Sequence, residues 1–224
     1  MYLSKVEVNT GAEAAQAFLN ITENGPYGAH QLLWQLFSTE SERSFLYRQE
    51  IKADGGTEYF VLSEVPPQKI SNVFSVQTKL FAPLLKERQR LAFKLRANAT
   101  VCKNNEDGKS KRHDVLMDAK RRLNLLGKTC PKTIQAGMNE AAYNWLSNER
   151  RLRSWGIELD NLPEIERYTL HRSQKKSGHH IQFSSVDFQG VLTVMNPDVF
   201  LHQYHKGFGR SKALGCGLML IRAI

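Results

Sequence analysis

The sequence predicts an α+β chain of two consecutive β-α-β-β-α-β units, and three observations carry that prediction. Strand and helix signals recur in nearly the same order in the two halves. Turn signals rich in Gly, Pro and Asn separate them. The 224 residues suffice for two small domains, and an apolar content of 41% suffices to give each a core. Two such units in series make a tandem ferredoxin-like arrangement. The expected domains are residues 1–86 and 87–224.

In the first half, residues 2–9 alternate Tyr2, Ser4, Val6 and Val8 against Leu3 and Lys5, the period of a strand. Residues 12–19 are rich in alanine and predict a short helical turn. Asn24-Gly25-Pro26 marks a break, with Pro26 suited to the first position of a new helix. That helix, over residues 27–37, gathers Leu32, Leu33, Leu36 and Phe37 on one face. Residues 45–51 and 58–62 flank Ala53-Asp54-Gly55-Gly56, a hairpin signal. Pro66-Pro67 interrupts the chain, and residues 73–81 then read as extended. No clear pattern marks a second helix in this unit.

The second half opens on a strand over residues 91–101, followed by a polar loop over 104–112. Residues 134–153 carry the clearest helical pattern, with Met138, Ala142, Trp145, Leu146 and Leu152 at helical spacing. Two strands, 166–172 and 181–194, flank a basic turn at 173–178. Residues 197–205 form a short helix with Asn196 as its cap and Pro197 at its start. A glycine-rich loop and a final strand over 218–222 complete the unit.

Charge narrows the function. The chain carries a formal net charge of +9. Residues 1–85 have a net charge of −3, residues 86–153 of +10, residues 154–166 of −4 and residues 167–224 of +6. Two basic blocks of this density favour a polyanion, most commonly nucleic acid. A solvated cationic surface is the plainer reading. Cys102, Cys130 and Cys216 are scattered and form no CxxC pair, which fits a reducing cytoplasm better than a disulfide framework. No signal peptide or membrane-spanning run is evident, so a cytoplasmic protein without a membrane partner is expected.

Four glycines lie within the eleven residues 207–217, interleaved with Arg210, Ser211 and Lys212. Glycines let backbone amides approach a ligand, and the cations suit phosphate. The run is neither a Walker A loop nor a dinucleotide fingerprint, because only seven residues follow it. Running on through Cys216, Gly217 and Leu218 to Ile221, it resembles the terminal loop and last strand of CasE-type CRISPR-associated proteins. Met1-Tyr2-Leu3-Ser4-Lys5-Val6, Phe93-Lys94-Leu95-Arg96-Ala97-Asn98 and Phe188-Gln189-Gly190-Val191-Leu192-Thr193 are similar to the same family, in the same order.

The resemblance implies two ferredoxin-like domains related to RNA-recognition folds. It also implies an endoribonuclease that cleaves repeat hairpins of precursor CRISPR RNA, using no metal or other cofactor. An RNA 2′-hydroxyl attacks, leaving a 2′,3′-cyclic phosphate. The enzyme then stays on the mature CRISPR RNA, with the other type I-E Cascade subunits as partners. In this family a histidine opens the first helix three residues after a tyrosine, which maps onto His30 and Tyr27. On spacing alone, His30 reads as a hydrogen-bonded core histidine; the resemblance makes it a general acid or base, with Tyr27 positioning or relaying a proton. The residues expected on RNA are Arg172, Lys175 and Lys176 of the basic hairpin and Gly207, Gly209, Arg210, Ser211, Lys212 and Gly215 of the loop. Arg121, Arg122, Arg150, Arg151 and Arg153 would add unspecific phosphate affinity. His202 and His205 have a spacing open to a metal but lack a third ligand. A noncatalytic RNA-binding protein and a Cascade subunit held by protein contacts are the competing readings.

Overall fold

The computed structural model describes residues 1–9, 11–37, 40–68, 72–104, 108–174 and 180–224, which divide into two units. The first comprises Met1–Leu84, Leu170–Phe183 and Ser211–Leu218; the second comprises Leu85–Thr169, Ser184–Arg210 and Met219–Ile224.

In the first unit, β1 (Tyr2–Val8) leads to α1 (Ala12–Trp34), then β2 (Phe45–Ile51), β3 (Thr57–Ser63) and β4 (Phe74–Leu80). The antiparallel sheet runs β2-β3-β1-β4. Numbered within the unit this is 4-1-3-2 read from β4, the ferredoxin-like order. β1 is central, with Val6 opposite Tyr59 on one side and Val76 on the other. The alternation expected of β1 is seen in Ser4 and Val6, both fully buried. The predicted hairpin joins β2 to β3, and the Gly56 N–H donates to Asp54 Oδ1 at 2.8 Å. Leu33 and Phe37, from α1 and the 3-10 turn after it, close the core on Phe45, Tyr59 and Val61.

Among the described residues no helix connects β3 to β4. Pro66-Pro67 explains this: each proline removes an amide donor, and the residue before a proline is pushed out of helical geometry. The helical pieces expected over residues 12–19 and 27–37 join in one element, α1, which is interrupted at Gly25 and followed by a 3-10 turn over Gln35–Phe37. The Gly25 φ of 53° and ψ of −136° are non-helical.

The second unit contains β5 (Arg90–Ala97), β6 (Thr100–Asn104), β7 (Ser110–Asp114), α2 (Val115–Leu125), α3 (Pro131–Leu146), α4 (Glu149–Trp155), β8 (Ile157–Leu159), β9 (Glu164–Gln174), β10 (His180–Val194), α5 (Pro197–Lys206) and β11 (Met219–Ala223). Its sheet runs β11-β5-β10-β8, with β9 also paired to β10. Counting β5, β8, β10 and β11, the order 4-1-3-2 returns. Leu95 on β5 lies between Phe188 and Met219. Met138, Trp145 and Leu146 of α3 and Phe200 and Tyr204 of α5 supply buried side chains, and the Tyr204 hydroxyl donates to Met219 O. Residues 170–174 of β9 and 180–183 of β10 belong to the first unit.

Three expectations in this half are corrected. The strand expected over 91–101 stops at Ala97, because buried Asn98 turns its amide onto Ser184 O at 2.6 Å. The polar loop expected over 104–112 is cut back at both ends, where β6 and β7 pair from Thr100↔Asp114 to Asn104↔Ser110; residues 105–107 lie outside the described residues. The single helix expected over 134–153 is two. The Ser147 hydroxyl donates to Tyr143 O, and Asn148 Oδ1 accepts from the Arg151 amide to cap α4. Short polar side chains compete with the helix ladder in this way. No helix among the described residues is long and apolar enough to cross a membrane.

Candidate active site

The break in α1 sets up the site. Gly25 takes a positive φ that side-chain-bearing residues rarely adopt, and a β-carbon there would stand 3.4 Å from Ser173 Oγ. Pro26 then starts a fresh helical segment with its φ pre-set. Tyr27 therefore sits in the first turn of that segment and His30 one turn on, at i and i+3 on one face. The positive end of a helix favours an anion at this point.

His30 is half-buried among aromatic rings. Its ring centre is 5.5 Å from Trp34 in an edge contact, 6.0 Å from Phe45, and 6.5 Å from Tyr47 in a stacked one. Nδ1 is buried and has no hydrogen-bond partner among the described residues. Burial, and to a smaller extent the Arg43 guanidinium, lower its pKa from 6.5 to about 4. The imidazole is therefore neutral at pH 7.

Arg43 and Tyr47 carry no motif and escape a reading of the sequence. Arg43 is half-buried, and its Nη1–H donates to Phe45 O at 2.7 Å. Burial lowers its pKa as well, and Tyr47 acts on it in the opposite sense. Tyr47 is 1% exposed, and its hydroxyl donates to Pro26 O at 2.9 Å. That bond ties β2 to the start of the Tyr27–His30 segment. The sequence offers only a weak signal for the pair: an arginine two residues ahead of an aromatic-alternating strand.

The glycine-rich run divides. Ser211, Lys212 and Gly215 belong to the first unit, whereas Gly207, Gly209 and Arg210 belong to the second. The 3-10 turn Lys212–Leu214 packs against α1 and β2. Gly215 is buried with φ 82°, and a β-carbon there would meet Tyr47 Cε2 at 3.1 Å. Gly207 ends α5, donating its N–H to Gln203 O, and Gly209 lies beside Trp145. Arg210 is exposed and forms a β-bridge with Asn98.

Of the hairpin residues, Arg172 is exposed beside buried Ser173, and both belong to the first unit. Lys175 and Lys176 lie outside the described residues. The first unit thus holds Tyr27, His30, Arg172, Ser211, Lys212 and Gly215 of the expected residues, and adds Arg43 and Tyr47. Among the described residues no cluster of three or more His, Cys, Asp and Glu side chains is placed to hold a metal ion.

A family model described as CRISPR associated protein matches residues 1–223. The chain is 28% identical to the CRISPR system Cascade subunit CasE of Escherichia coli K12, over 98% of each chain. It is also 28% identical to the CRISPR-associated endoribonuclease Cse3 of Thermus thermophilus, over 99% of each. Among solved structures, that of CRISPR endoribonuclease Cse3 bound to a 19-nucleotide RNA superposes with a TM-score of 0.70 at 27% identity, covering 99% of this chain and all of the other.

Proposed function

The chain belongs to the family of CRISPR-associated proteins, and from that premise we propose that it is an endoribonuclease that cuts the repeat hairpin of a precursor CRISPR RNA and stays on the product as a subunit of a type I-E Cascade complex. Whole-length likeness to proteins named as Cascade subunit and as endoribonuclease supports this reading. The observation that carries it is the state of His30. A core histidine is hydrogen-bonded, yet this Nδ1 is buried without a partner among the described residues, and the ring is neutral beside a guanidinium.

The chemistry needs no external nucleophile. The ribose 2′-oxygen attacks the adjacent phosphorus, the P–O2′ bond forms and the P–O5′ bond breaks. A proton leaves O2′ and another arrives at O5′, so the products are a 2′,3′-cyclic phosphate and a 5′-hydroxyl. Neutral imidazole is the form that accepts a proton. A phosphodiester brought against His30 and Arg43 opposes both causes that depress the imidazole: it pairs with the guanidinium, and its own charge favours imidazolium. Substrate binding thereby moves His30 toward the range where proton transfer is effective. Tyr27, on the same helix face, orients the ribose or the phosphate oxygens. Lys212 and Arg172 supply further charge, and Arg43 faces the negative charge that builds on phosphorus.

The test is incubation of the purified chain with its repeat RNA in EDTA, alongside His30→Ala and a substrate with one 2′-deoxyribose at the cut. Cleavage at one position by the native chain alone, with a cyclic phosphate end and none on the deoxy substrate, is expected. Tight binding without cleavage would leave an RNA-holding subunit.

A further inference from the structure

A cavity of about 350 Å³ in the second unit opens among β6, α2, α3 and α4. Arg151, Arg122, Lys103, Asn144, Asn148 and Asp118 are among the residues lining it. None of them enters the cleavage chemistry above.

Arg151 is the residue that calls for a ligand. Its guanidinium carbon lies 4.2 Å from the centre of the Trp145 ring and 6.0 Å from that of Trp155. One guanidinium nitrogen, Nη1, is buried without a hydrogen-bond partner among the described residues. Burial alone lowers the pKa of this arginine, with no carboxylate acting against it. A half-buried cation without a counter-charge is destabilising, and the two indoles offset only part of that cost. Asp118 does not serve as the counter-charge. It is already held by Lys103 Nζ at 2.6 Å and Arg122 Nε at 3.3 Å. Three cations thus line one cavity with a single carboxylate, which pairs with two of them.

The chemistry favours a backbone phosphate over a protein carboxylate. Lys111, Arg112, Arg121 and Arg150, from β7, α2 and α4, are all exposed cations, so one sign of charge extends beyond the cavity. A polyanion meets all of these groups, whereas a single acidic side chain meets one. A flexible single strand can bend a phosphate into a recess that a duplex would only cover. Trp145 is 7% exposed and leaves no ring face for a base to stack on. We propose that this cavity binds a phosphodiester of single-stranded RNA through Arg151 and Arg122, gripping the backbone without reading sequence. The proposal rests on RNA being the polyanion of the function above, and does not depend on cleavage.

The experiment measures binding of the full chain to a 20-nucleotide oligouridylate, which has no hairpin, by fluorescence anisotropy from 50 to 300 mM salt. Each phosphate that a protein cation neutralises on a single strand adds about 0.7 to the steepness of log affinity against log salt. Arg151→Gln and the exposed Arg122→Gln are each expected to make the slope shallower by that amount and to weaken binding about fivefold. Arg122→Gln keeps the test open should Arg151→Gln disturb the indole stack. Lys128→Gln, an exposed cation outside the cavity, serves as the control and should change little. Equal effects in the control, or unchanged slopes in both cavity variants, overturn the proposal. So does RNA binding that survives both changes while capture of a polyglutamate probe disappears, which would make the cavity a protein-docking site. Failure here leaves hairpin cleavage untouched, and failure to cut a hairpin leaves this binding intact.

Discussion

Replacing Arg43 with Gln tests the electrostatics of the candidate site most directly. The guanidinium is held by Phe45 O and acts on His30, whose imidazole stands at about 4 instead of 6.5. Burial is the larger cause and Arg43 the smaller, so Arg43 accounts for less than half of that gap. Without it the pKa of His30 should rise. The acid limb of kcat/KM reports the free enzyme, so it should move from about pH 4 to higher pH. The same change removes positive charge from the phosphorane, which should slow the reaction by about 10²–10³, or about 3–4 kcal/mol. Single-turnover cleavage of a labelled repeat hairpin at subsaturating enzyme between pH 3.5 and 8 reads both effects. Anisotropy with a 2′-deoxy substrate should show less than about a tenfold change in Kd, since the other cations still hold the RNA backbone. Arg43→Lys keeps the charge without the planar fork and should recover part of the rate. Cleavage within threefold of the native chain across this range, with an unmoved acid limb, would reduce Arg43 to a pin for the Phe45 carbonyl.

Two further outcomes follow from the same geometry. Gly215→Ala forces a side chain into positive φ, at about 1–2 kcal/mol, and sets a methyl 3.1 Å from Tyr47, whose bond to Pro26 contributes about 1 kcal/mol more; urea unfolding should show a destabilisation of about 2–3 kcal/mol, and one below about 0.5 kcal/mol contradicts the packing. Because His30 is lowered on folding, the unfolded chain holds more protons between about pH 4 and 6.5, so its contribution is intact above 6.5 and disappears as pH falls toward 4. Solvent reaches part of the ring, so the native chain should be destabilised by about 1 kcal/mol more than His30→Leu between pH 7 and 4.5 by urea midpoint; equal destabilisation contradicts a neutral half-buried imidazole.

Most of the strand plan is legible because strands such as β1 and β5 alternate and the turns between strands are punctuated. The β2–β3 hairpin can be read from Asp54-Gly55-Gly56, and α5 from Asn196-Pro197. What escapes are places where one polar side chain overrides a period. Asn98 ends β5 by reaching Ser184 O, and Asn148 restarts a helix that the Met138–Leu152 pattern carries straight through. Both asparagines are visible as residues. Whether an asparagine caps, turns or merely faces solvent depends on which backbone groups come within reach, and that is settled by tertiary structure.

The site is legible in proportion to how local it is. Tyr27 and His30 share one helical turn, so spacing and family likeness are enough to single them out. Arg43 lies thirteen positions after His30, ahead of a strand, with no period relating the two. Charge counting misses it as well, because residues 1–85 are net negative and direct attention to the basic second half. That is the physical reason Arg43 is not singled out by the sequence. In an acidic stretch one arginine, half-buried against an aromatic wall, is screened less by water than any exposed lysine of the basic blocks. Its effect on a phosphate is correspondingly larger. In the proposed function, net charge draws the RNA to the chain, and a single half-buried guanidinium beside a neutral imidazole is the place assigned to the cut.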